Sequence, residues 1–282
     1  MKISQFLIKN KLVKKKDINF FGRARDNNKV RFYRDKITKI IFTDYTTNYH
    51  NLYSKGEHYK IQSNNFERKS DNNRRVNVFK KYYKNKIVCD FGCGNGDFLK
   101  TILPNSKKVF GIELNKSNIN SLNRKNILVK NDINLINEKL DTIFLFHVLE
   151  HLPNSIEFLK TFKKKLKKNG KVIIEVPHAC DILLDKFKNK DFINFTLWSQ
   201  HLILHTKDSL KFYLKSSGYK NIEIFGIQRY NIFNHLNWLN TGKPGGHKSA
   251  ISKKLNKTDL KNYEMLLNKF EATDTLIAIA EN

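Results

Sequence analysis

Cysteine is scarce in this chain, and long apolar runs are missing. The three cysteines are an odd number without the paired spacing of a zinc site, so the sequence predicts neither a disulfide framework nor a metal centre. No stretch approaches about 18 consecutive apolar residues, so we expect no membrane-spanning helix. Residues 1–16 carry charge on both sides of an apolar patch that is too short for a signal peptide. We therefore expect a reducing, cytoplasmic setting.

Acidic residues are also few. Lys and Arg number 53 against 26 Asp and Glu, which gives a formal net charge of +27. Such a charge is typical of proteins with an anionic partner, for example nucleic acid, a membrane surface or a phosphorylated substrate. The alternative is compositional, because lysine is abundant throughout and forms only short runs such as Lys14–Lys16 and Lys163–Lys165. We adopt the compositional interpretation and expect no nucleic-acid partner.

Residues 86–98 contain the most informative pattern. The apolar run Ile87–Cys89 is typical of a buried strand, Asp90 stands where that strand ends, and Phe98 begins a helix-like pattern. Between them Gly92, Gly94 and Gly96 alternate. A strand, a glycine turn and a helix form the nucleotide-binding corner of an α/β sheet. The spacing is not the dinucleotide pattern G-x-G-x-x-G, and an aspartate before the glycines suits a cationic ligand better than a pyrophosphate.

Strands and helices alternate after residue 86, which predicts an α/β fold with a mainly parallel sheet and helices on both faces. Glu113 ends the second predicted strand, where an acid can accept hydrogen bonds from a ribose diol. Asp132 follows the third strand. The predicted strands after the first are Lys108–Leu114, Ile127–Lys130, Thr142–Phe146, Lys171–Val176, Asn221–Ile227 and Thr275–Ala280.

The glycine turn resembles motif I of the class I S-adenosylmethionine-dependent methyltransferases. The run His147–Pro153 matches the signature that follows their fourth strand, which usually ends Leu-Glu-His-Leu-Pro. The resemblance covers roughly residues 86–229 and resumes at the last strand. It implies a Rossmann-like, doubly wound, seven-stranded sheet with an antiparallel last strand. It also implies S-adenosylmethionine as cofactor and S-adenosylhomocysteine as product.

The same resemblance implies which residues contact the cofactor. An acid at position 132 contacts the adenine amino group and the next apolar residue packs on the ring, although Asp132 as a plain helix cap is an open alternative. The expected cofactor-binding residues are Asp90, Gly92, Cys93, Gly94, Glu113, Leu114, Asp132, Ile133 and His147.

The predicted domain organisation has two parts. Residues 1–80, with a hairpin formed by Val30–Tyr33 and Ile37–Thr43, are an N-terminal extension that lids the site or completes the core. Residues 81–282 are the methyltransferase domain, with insertions at 178–205 and 230–272. Because both insertions leave from the carboxyl edge of the sheet, we expect them to wall the acceptor pocket.

Histidines are the candidates for a catalytic base, because a base near neutral pKa helps a hydroxyl acceptor to lose its proton. We favour His201 or His178; His147 and His151 are further candidates, with a structural role for His151 as the alternative. The segment Gly242–Ser249 lacks the spacing of a phosphate loop and is either a surface loop or a contact to an anionic acceptor, such as a nucleotide-sugar diphosphate. The expected acceptor contacts are Tyr53, Tyr59, Trp198, Lys243, His247 and Lys248.

Several acceptor classes are excluded by missing motifs. The Asp/Asn-Pro-Pro-aromatic motif of exocyclic-amine methylases and the Pro-Cys nucleophile of cytosine C5 methylases are absent, and no added RNA-binding module is present. We therefore predict O-methylation of a small polar metabolite or sugar, in surface-polysaccharide or secondary-metabolite biosynthesis, by a monomer or homodimer. The alternatives are an RNA or protein methyltransferase, favoured by the charge, and a non-catalytic cofactor-binding protein.

Overall fold

The structure is a computed structural model that describes residues 2–45, 54, 65–125 and 127–282. Tyr53 and Tyr59, two of the predicted acceptor contacts, lie outside the described residues. No described helix combines the length and the apolar composition needed to cross a membrane.

The strands are β1 (Ile18–Arg23), β2 (Arg31–Asp35), β3 (Ile41–Thr43), β4 (Ile87–Phe91), β5 (Lys108–Ile112), β6 (Leu128–Lys130), β7 (Leu140–Phe146), β8 (Leu166–Pro177), β9 (Ile203–Leu204), β10 (Lys220–Ile227) and β11 (Thr275–Glu281). The described α-helices are α1 (Ile3–Lys9), α2 (Asn65–Val78), α3 (Lys80–Tyr83), α4 (Asp97–Ile102), α5 (Lys116–Asn123), α6 (Ser155–Lys165), α7 (Ile182–Asp185), α8 (Lys190–Thr196), α9 (Lys207–Ser216), α10 (Ile232–Thr241) and α11 (Lys257–Lys269).

The larger sheet is built from the alternating strands and helices that begin near residue 86. Its strand order is β10-β11-β8-β7-β4-β5-β6, and β4 pairs in parallel with both β5 and β7. The last strand, β11, is antiparallel and lies between β10 and β8. The predicted seven-stranded, doubly wound α/β sheet is therefore confirmed. Strand β8 begins at Leu166, earlier than the predicted Lys171, since Leu166 and Gly170 are also buried.

A second, four-stranded sheet has the order β1-β2-β3-β9. Strands β2 and β3 form the predicted hairpin, with Tyr33 opposite Phe42. The turn spans residues 36–40 rather than the predicted 34–36, because β2 continues to Asp35 and β3 begins at Ile41. The Asp35 carboxylate accepts the N–H groups of Ile37 at 2.9 Å and Thr38 at 2.8 Å. The sequence did not predict the flanking strands: β1 has no clean alternation of burial, and β9 has only two residues.

The chain divides into two compact units. The first unit comprises residues 1–46, 176–212 and 224–277 and contains the four-stranded sheet with α1, α7, α8, α10 and α11. The second unit comprises residues 47–175, 213–223 and 278–282 and contains β4 to β7 with α2 to α6. The predicted boundary at residue 80 stays a prediction.

A buried ion pair lies beside the core of the first unit. Arg34 on β2 donates to the Asp185 carboxylate at 2.7 Å and to the carbonyl oxygens of Ala179 at 3.3 Å and Leu184 at 3.4 Å. Both side chains of the ion pair are at most 10% exposed. Burial alone would raise the pKa of Asp185, but the neighbouring Lys186 and Arg34 hold it below its usual value. The guanidinium therefore joins the small sheet to residues 179–185. The apolar core residues are Ala24, Val30, Phe32, Ile41, Ala179, Leu184, Leu197 and Leu204.

Replacing Arg34 should destabilise the first unit, because the change leaves the buried Asp185 carboxylate with Lys186 as its remaining cation and removes the donor of two carbonyl groups. We expect Arg34→Met to lower the free energy of unfolding by about 3 kcal/mol, measured by urea denaturation. Arg31→Met is the matched control, since Arg31 lies on the same strand and is exposed, and it should cost less than about 0.5 kcal/mol. Equal effects of the two changes would contradict a structural role for the pair.

Candidate active site

The glycine turn after β4 requires glycine for two independent reasons. Gly92, Gly94 and Gly96 have φ angles of 80°, 54° and 70°, in the left-handed region that side chains disfavour. A Cβ atom on Gly92 would lie 2.6 Å from a methyl carbon of Val148, and one on Gly96 would lie 2.5 Å from a methyl carbon of Leu122. The N–H groups of Gly92 and Cys93 both donate to the Ile112 carbonyl, at 2.8 and 3.0 Å, and tie the turn to β5. The backbone conformation of the turn and its packing against Val148 and Leu122 therefore both require glycine.

Two buried carboxyl groups flank the turn. Asp90 lies in β4 opposite Gly111 of β5, and Glu113 follows the end of β5. They are 4% and 6% exposed. Burial raises the pKa of Asp90 to about 7; the nearby Arg75 acts against this rise, and the carboxylate of Glu113 adds to it. Glu113 Oε1 accepts the N–H groups of Leu114 at 2.7 Å and Asn115 at 2.9 Å. Two acids at adjacent strand ends suit a ligand that carries positive charge and hydroxyl donors.

The remaining predicted cofactor contacts lie on the same edge of the larger sheet. Asp132 follows β6, is exposed, and accepts the N–H group of Asn134 at 2.8 Å. The structure therefore shows the helix-cap role that the sequence left open, and the adenine contact stays a prediction. Ile133 and Cys93 are buried, and burial raises the pKa of the Cys93 thiol well above its usual value. A thiol in that state is a packing group rather than a nucleophile.

The sequence did not predict a charged cluster at the end of β8. Glu175 is fully buried and accepts hydrogen bonds from Arg74 at 2.8 Å and Arg75 at 2.7 Å, both from α2. Burial acts to raise the pKa of Glu175, but Arg75, the His147 ring and Arg74 together hold that pKa well below its usual range. The Arg75 guanidinium also lies 4.4 Å from the centre of the Phe146 ring. The signal in the sequence was a lone acid within an apolar strand, since such a group must be paired.

His147 is placed by this cluster and by an unusual backbone. Its φ angle is 56°, and its N–H group donates to the Glu175 carbonyl at 2.8 Å. The ring lies between two buried carboxylates, with Nε2 at 3.2 Å from Glu175 Oε1 and Nδ1 at 3.4 Å from Glu150 Oε1. His151 is half-buried, and its Nε2 lies 3.8 Å from Glu150 Oε1. Among the predicted bases, His147 thus has its orientation set by charged neighbours at the same sheet edge as Asp90.

The other two predicted bases lie in the first unit. His178 is 2% exposed, and its Nδ1 lies 2.9 Å from the Thr273 carbonyl. Burial lowers the pKa of His178 to about 4. Both facts argue for a structural role and against a base at His178. His201 is half-buried, its N–H group donates to the Trp198 carbonyl at 2.8 Å, and its role as a base stays a prediction.

The predicted acceptor contacts of the first unit fall into two places. Trp198 packs under the Arg25 guanidinium, which lies 4.0 Å from its ring centre. Lys243 and Lys248 are exposed, and His247 is half-buried with Nδ1 at 2.9 Å from Asn234 Oδ1. The loop around Gly246 is held close to α10, because a Cβ atom on that glycine would meet the Phe233 carbonyl oxygen at 1.9 Å. The two lysines are therefore presented to solvent on a well-packed loop.

Comparison with known proteins defines the class of this chain. The sequence profile of the family described as "Methyltransferase domain" matches residues 62–224, so the chain belongs to that family. The predicted cofactor, S-adenosylmethionine, is confirmed by this membership. An S-adenosylmethionine-dependent methyltransferase from Archaeoglobus fulgidus shares the fold, with a TM-score of 0.53, 20% identity, and coverage of 74% of this chain and 92% of that one. A possible histamine N-methyltransferase from Thermotoga maritima also shares it, with a TM-score of 0.51, 12% identity, and coverage of 77% and 91%.

Curated relatives carry a more specific name. The tRNA U34 carboxymethyltransferase of Aliarcobacter butzleri is 26% identical over 182 residues, covering 59% of this chain and 58% of the relative. The enzyme of the same name from Nautilia profundicola is 33% identical over 129 residues, covering 39% of this chain and 43% of the relative. The chain thus spans about half the length of the curated relatives it matches.

These names contradict two expectations from the sequence. The first is a sugar or small polar metabolite as acceptor in polysaccharide or secondary-metabolite biosynthesis. The second is the absence of a nucleic-acid partner. Relatives named for a tRNA position point instead to the alternative that the charge favoured, an RNA methyltransferase. Both expectations had assigned the whole +27 charge to composition.

The raised pKa of Asp90 predicts that its ionised carboxylate lowers the stability of the folded protein but favours the binding of a cationic cofactor. The unfolded chain has an ordinary aspartate pKa near 4, so without cofactor the folded protein loses stability progressively from about pH 4 to about pH 7. We expect Asp90→Asn to be more stable than wild type at pH 8, by up to about 4 kcal/mol, and the difference to shrink towards pH 4. Thermal unfolding of both proteins between pH 4 and pH 8 measures this difference in stability.

The same variant should bind S-adenosylmethionine about tenfold more weakly in calorimetry, since one negative charge near a cationic ligand is lost. Asp208→Asn, at an exposed acid, is the control and should change neither quantity. A variant no more stable than wild type at pH 8 would show that its surroundings do not raise the pKa of Asp90.

Proposed function

We propose that this protein is an S-adenosylmethionine-dependent RNA methyltransferase that acts on tRNA. The observation that carries the proposal is the match to curated enzymes named for tRNA U34, which extends over 59% of the chain for the Aliarcobacter relative. The cofactor corner of the second unit supports the donor half of the reaction. The chain spans about half of the length of those relatives, so its substrate and its activity are part of the proposal.

The charge distribution supports a polyanionic acceptor. From Ile224 to Thr258 the chain has no Asp or Glu, while it has Arg229 and five lysines. All five lysines are exposed, and they lie on the loop and the helix start that follow α10. A long segment without carboxylates of its own attracts phosphate groups, and the carboxylate that lies against it is that of Asp191 from α8, beside Gly242. The five lysines are Lys243, Lys248, Lys253, Lys254 and Lys257.

The reaction that this site supports is a direct displacement. When bound, S-adenosylmethionine would supply an electrophilic methyl carbon, and the carbon–sulfur bond that breaks would leave its electron pair on sulfur. The glycine turn and Glu113 would hold this ligand, with the Glu113 carboxylate as acceptor for the ribose hydroxyls. Asp90 supplies negative charge near the positively charged donor. Holding the two reactants in line supplies much of the rate.

We assign His147 as the base that takes the proton of the acceptor. Its Nε2 faces Glu175 at 3.2 Å, and Nδ1, at the longer distance of 3.4 Å from Glu150, is the atom that takes the proton; the two carboxylates stabilise the positive charge that the ring then carries. Arg74 and Arg75 keep Glu175 ionised and in place, so they act as positioning residues for the ring.

Transfer of label tests the proposal directly. The purified protein, methyl-labelled S-adenosylmethionine and bulk tRNA should give labelled tRNA, and nuclease digestion with mass spectrometry should identify one modified nucleoside. His147→Gln should lower the rate at least about tenfold at saturating S-adenosylmethionine, a condition under which a weakened cofactor contact does not contribute to the loss. Label that enters protein or a small metabolite, with none in RNA, would overturn the assignment.

The acid-free segment gives a second test. Lys243→Gln/Lys248→Gln should weaken tRNA binding about five- to tenfold and reduce the slope of affinity against salt by about two, because two phosphate contacts are lost. Fluorescence anisotropy at several salt concentrations measures both. The matched control is Lys14→Gln/Lys16→Gln, which removes two exposed lysines from a run in the same unit. Equal losses in the two variants would mean that the segment makes no specific contact.

A further inference from the structure

A lysine-lined cleft lies in the second unit, away from the cofactor corner. Its volume is about 700 Å³, within the range of pockets that hold small-molecule ligands. Five of its lining residues are lysines, and one is acidic. The charged lining residues are Lys139, Lys163, Lys167, Lys168, Lys220 and Glu281.

The topology explains why these lysines meet. Lys139 precedes β7, Lys167 and Lys168 lie at the start of β8, and Lys220 begins β10. Strands β7 and β8 are parallel, with Leu140 opposite Leu166, so their first residues share the amino edge of the sheet. Because β4 is parallel to β7, Asp90 and the glycine turn lie at the other edge. The seven residues of β7 put about 20 Å between the two edges, so the cleft is separate from the cofactor site.

The carboxylates near the cleft are already engaged. Both oxygens of Asp141 lie 2.9 Å from the Lys167 ammonium group, and Glu281 pairs with Lys171, which is not a lining residue. Two other lining lysines donate to neutral oxygens: Lys139 to the Lys164 carbonyl and Lys163 to the Asn282 side chain, both at 2.6 Å. These two contacts hold the ammonium groups of Lys139 and Lys163 in position without cancelling their charge, whereas Asp141 offsets the charge of Lys167.

Two lysines complete the cleft from exposed positions. Lys168 and Lys220 are both exposed, and neither has a carboxylate within 4.0 Å in the part of the chain that the structure describes; Lys171 and, at longer range, Lys220 lower the pKa of the Glu281 carboxyl. Several fixed ammonium groups around one cleft repel one another unless an anion is bound, and a ligand of multiple negative charge relieves that repulsion best. Lysine binds phosphate as a point charge. It does not need the planar, two-bond geometry in which arginine pairs with a carboxylate.

We propose that this cleft binds phosphate groups, either those of an RNA backbone or those of a free polyphosphate. The proposal goes beyond the methyl-transfer function, since it concerns a second site at the opposite sheet edge. Its test measures binding alone, so it can fail or succeed whether or not tRNA is methylated.

The test compares a cleft variant with a matched surface variant. Lys168→Gln/Lys220→Gln should weaken the binding of inorganic tripolyphosphate at least about tenfold in calorimetry at about 0.15 M salt. Lys14→Gln/Lys16→Gln removes the same charge from another exposed place and should leave that affinity within about twofold. Unchanged affinity for S-adenosylmethionine in both variants confirms that they are folded.

A short single-stranded RNA is the second probe and distinguishes the two sources of phosphate. If the cleft variant also binds this RNA more weakly than the surface variant does, the cleft takes the RNA backbone. If only the tripolyphosphate affinity falls, the cleft takes a free polyphosphate. If the two variants affect both probes equally, or wild type does not bind either probe, the proposal is wrong.

Discussion

The second unit depends on the compensation of one buried carboxylate. Glu175 has no exposed surface, and leaving it without cations would cost several kcal/mol. Arg74 and Arg75 provide the compensation, so α2 must pack where their guanidinium groups reach the end of β8. The same contact brings Arg75 near Asp90 and sets the ring of His147. One ion cluster thereby links a helix, a strand end, the cofactor corner and the histidine that we assign to proton transfer.

The elements with a regular pattern could be predicted from the sequence, and the pairings between distant residues could not. The apolar runs of the larger sheet and its glycine turn were recognisable because each depends on residues close together in the chain. Glu175 and its arginines are about 100 positions apart, so their pairing is decided by packing that no local pattern records. Likewise β9 is too short to have a periodicity, although its pairing with β3 completes the small sheet.

The candidate site shows the same division. Asp90, Glu113 and the three glycines follow from motif spacing, and the structure places them at adjacent strand ends. His178 met the sequence criteria for a base equally well, and only its burial and its bond to the Thr273 carbonyl argue against that role. The chemical type of a residue is visible in the sequence, whereas its accessibility is a property of the fold. The acceptor was misjudged for a different reason: the acid-free segment from Ile224 to Thr258 is visible in the sequence, but a count of lysines over the whole chain does not reveal it.

The charges of this protein have opposite signs at the surface and at the cofactor corner, and this division suits a cationic donor with an anionic acceptor. Exposed lysines act on an approaching polyanion, but at physiological salt their field decays over about 8 Å. Asp90 and Glu113 are buried, so the local charge that a sulfonium would meet there is set by these two acids and the nearby Arg75 and not by the total of +27. A strongly basic chain can therefore bind a positively charged cofactor, because burial and screening separate the two electrostatic tasks.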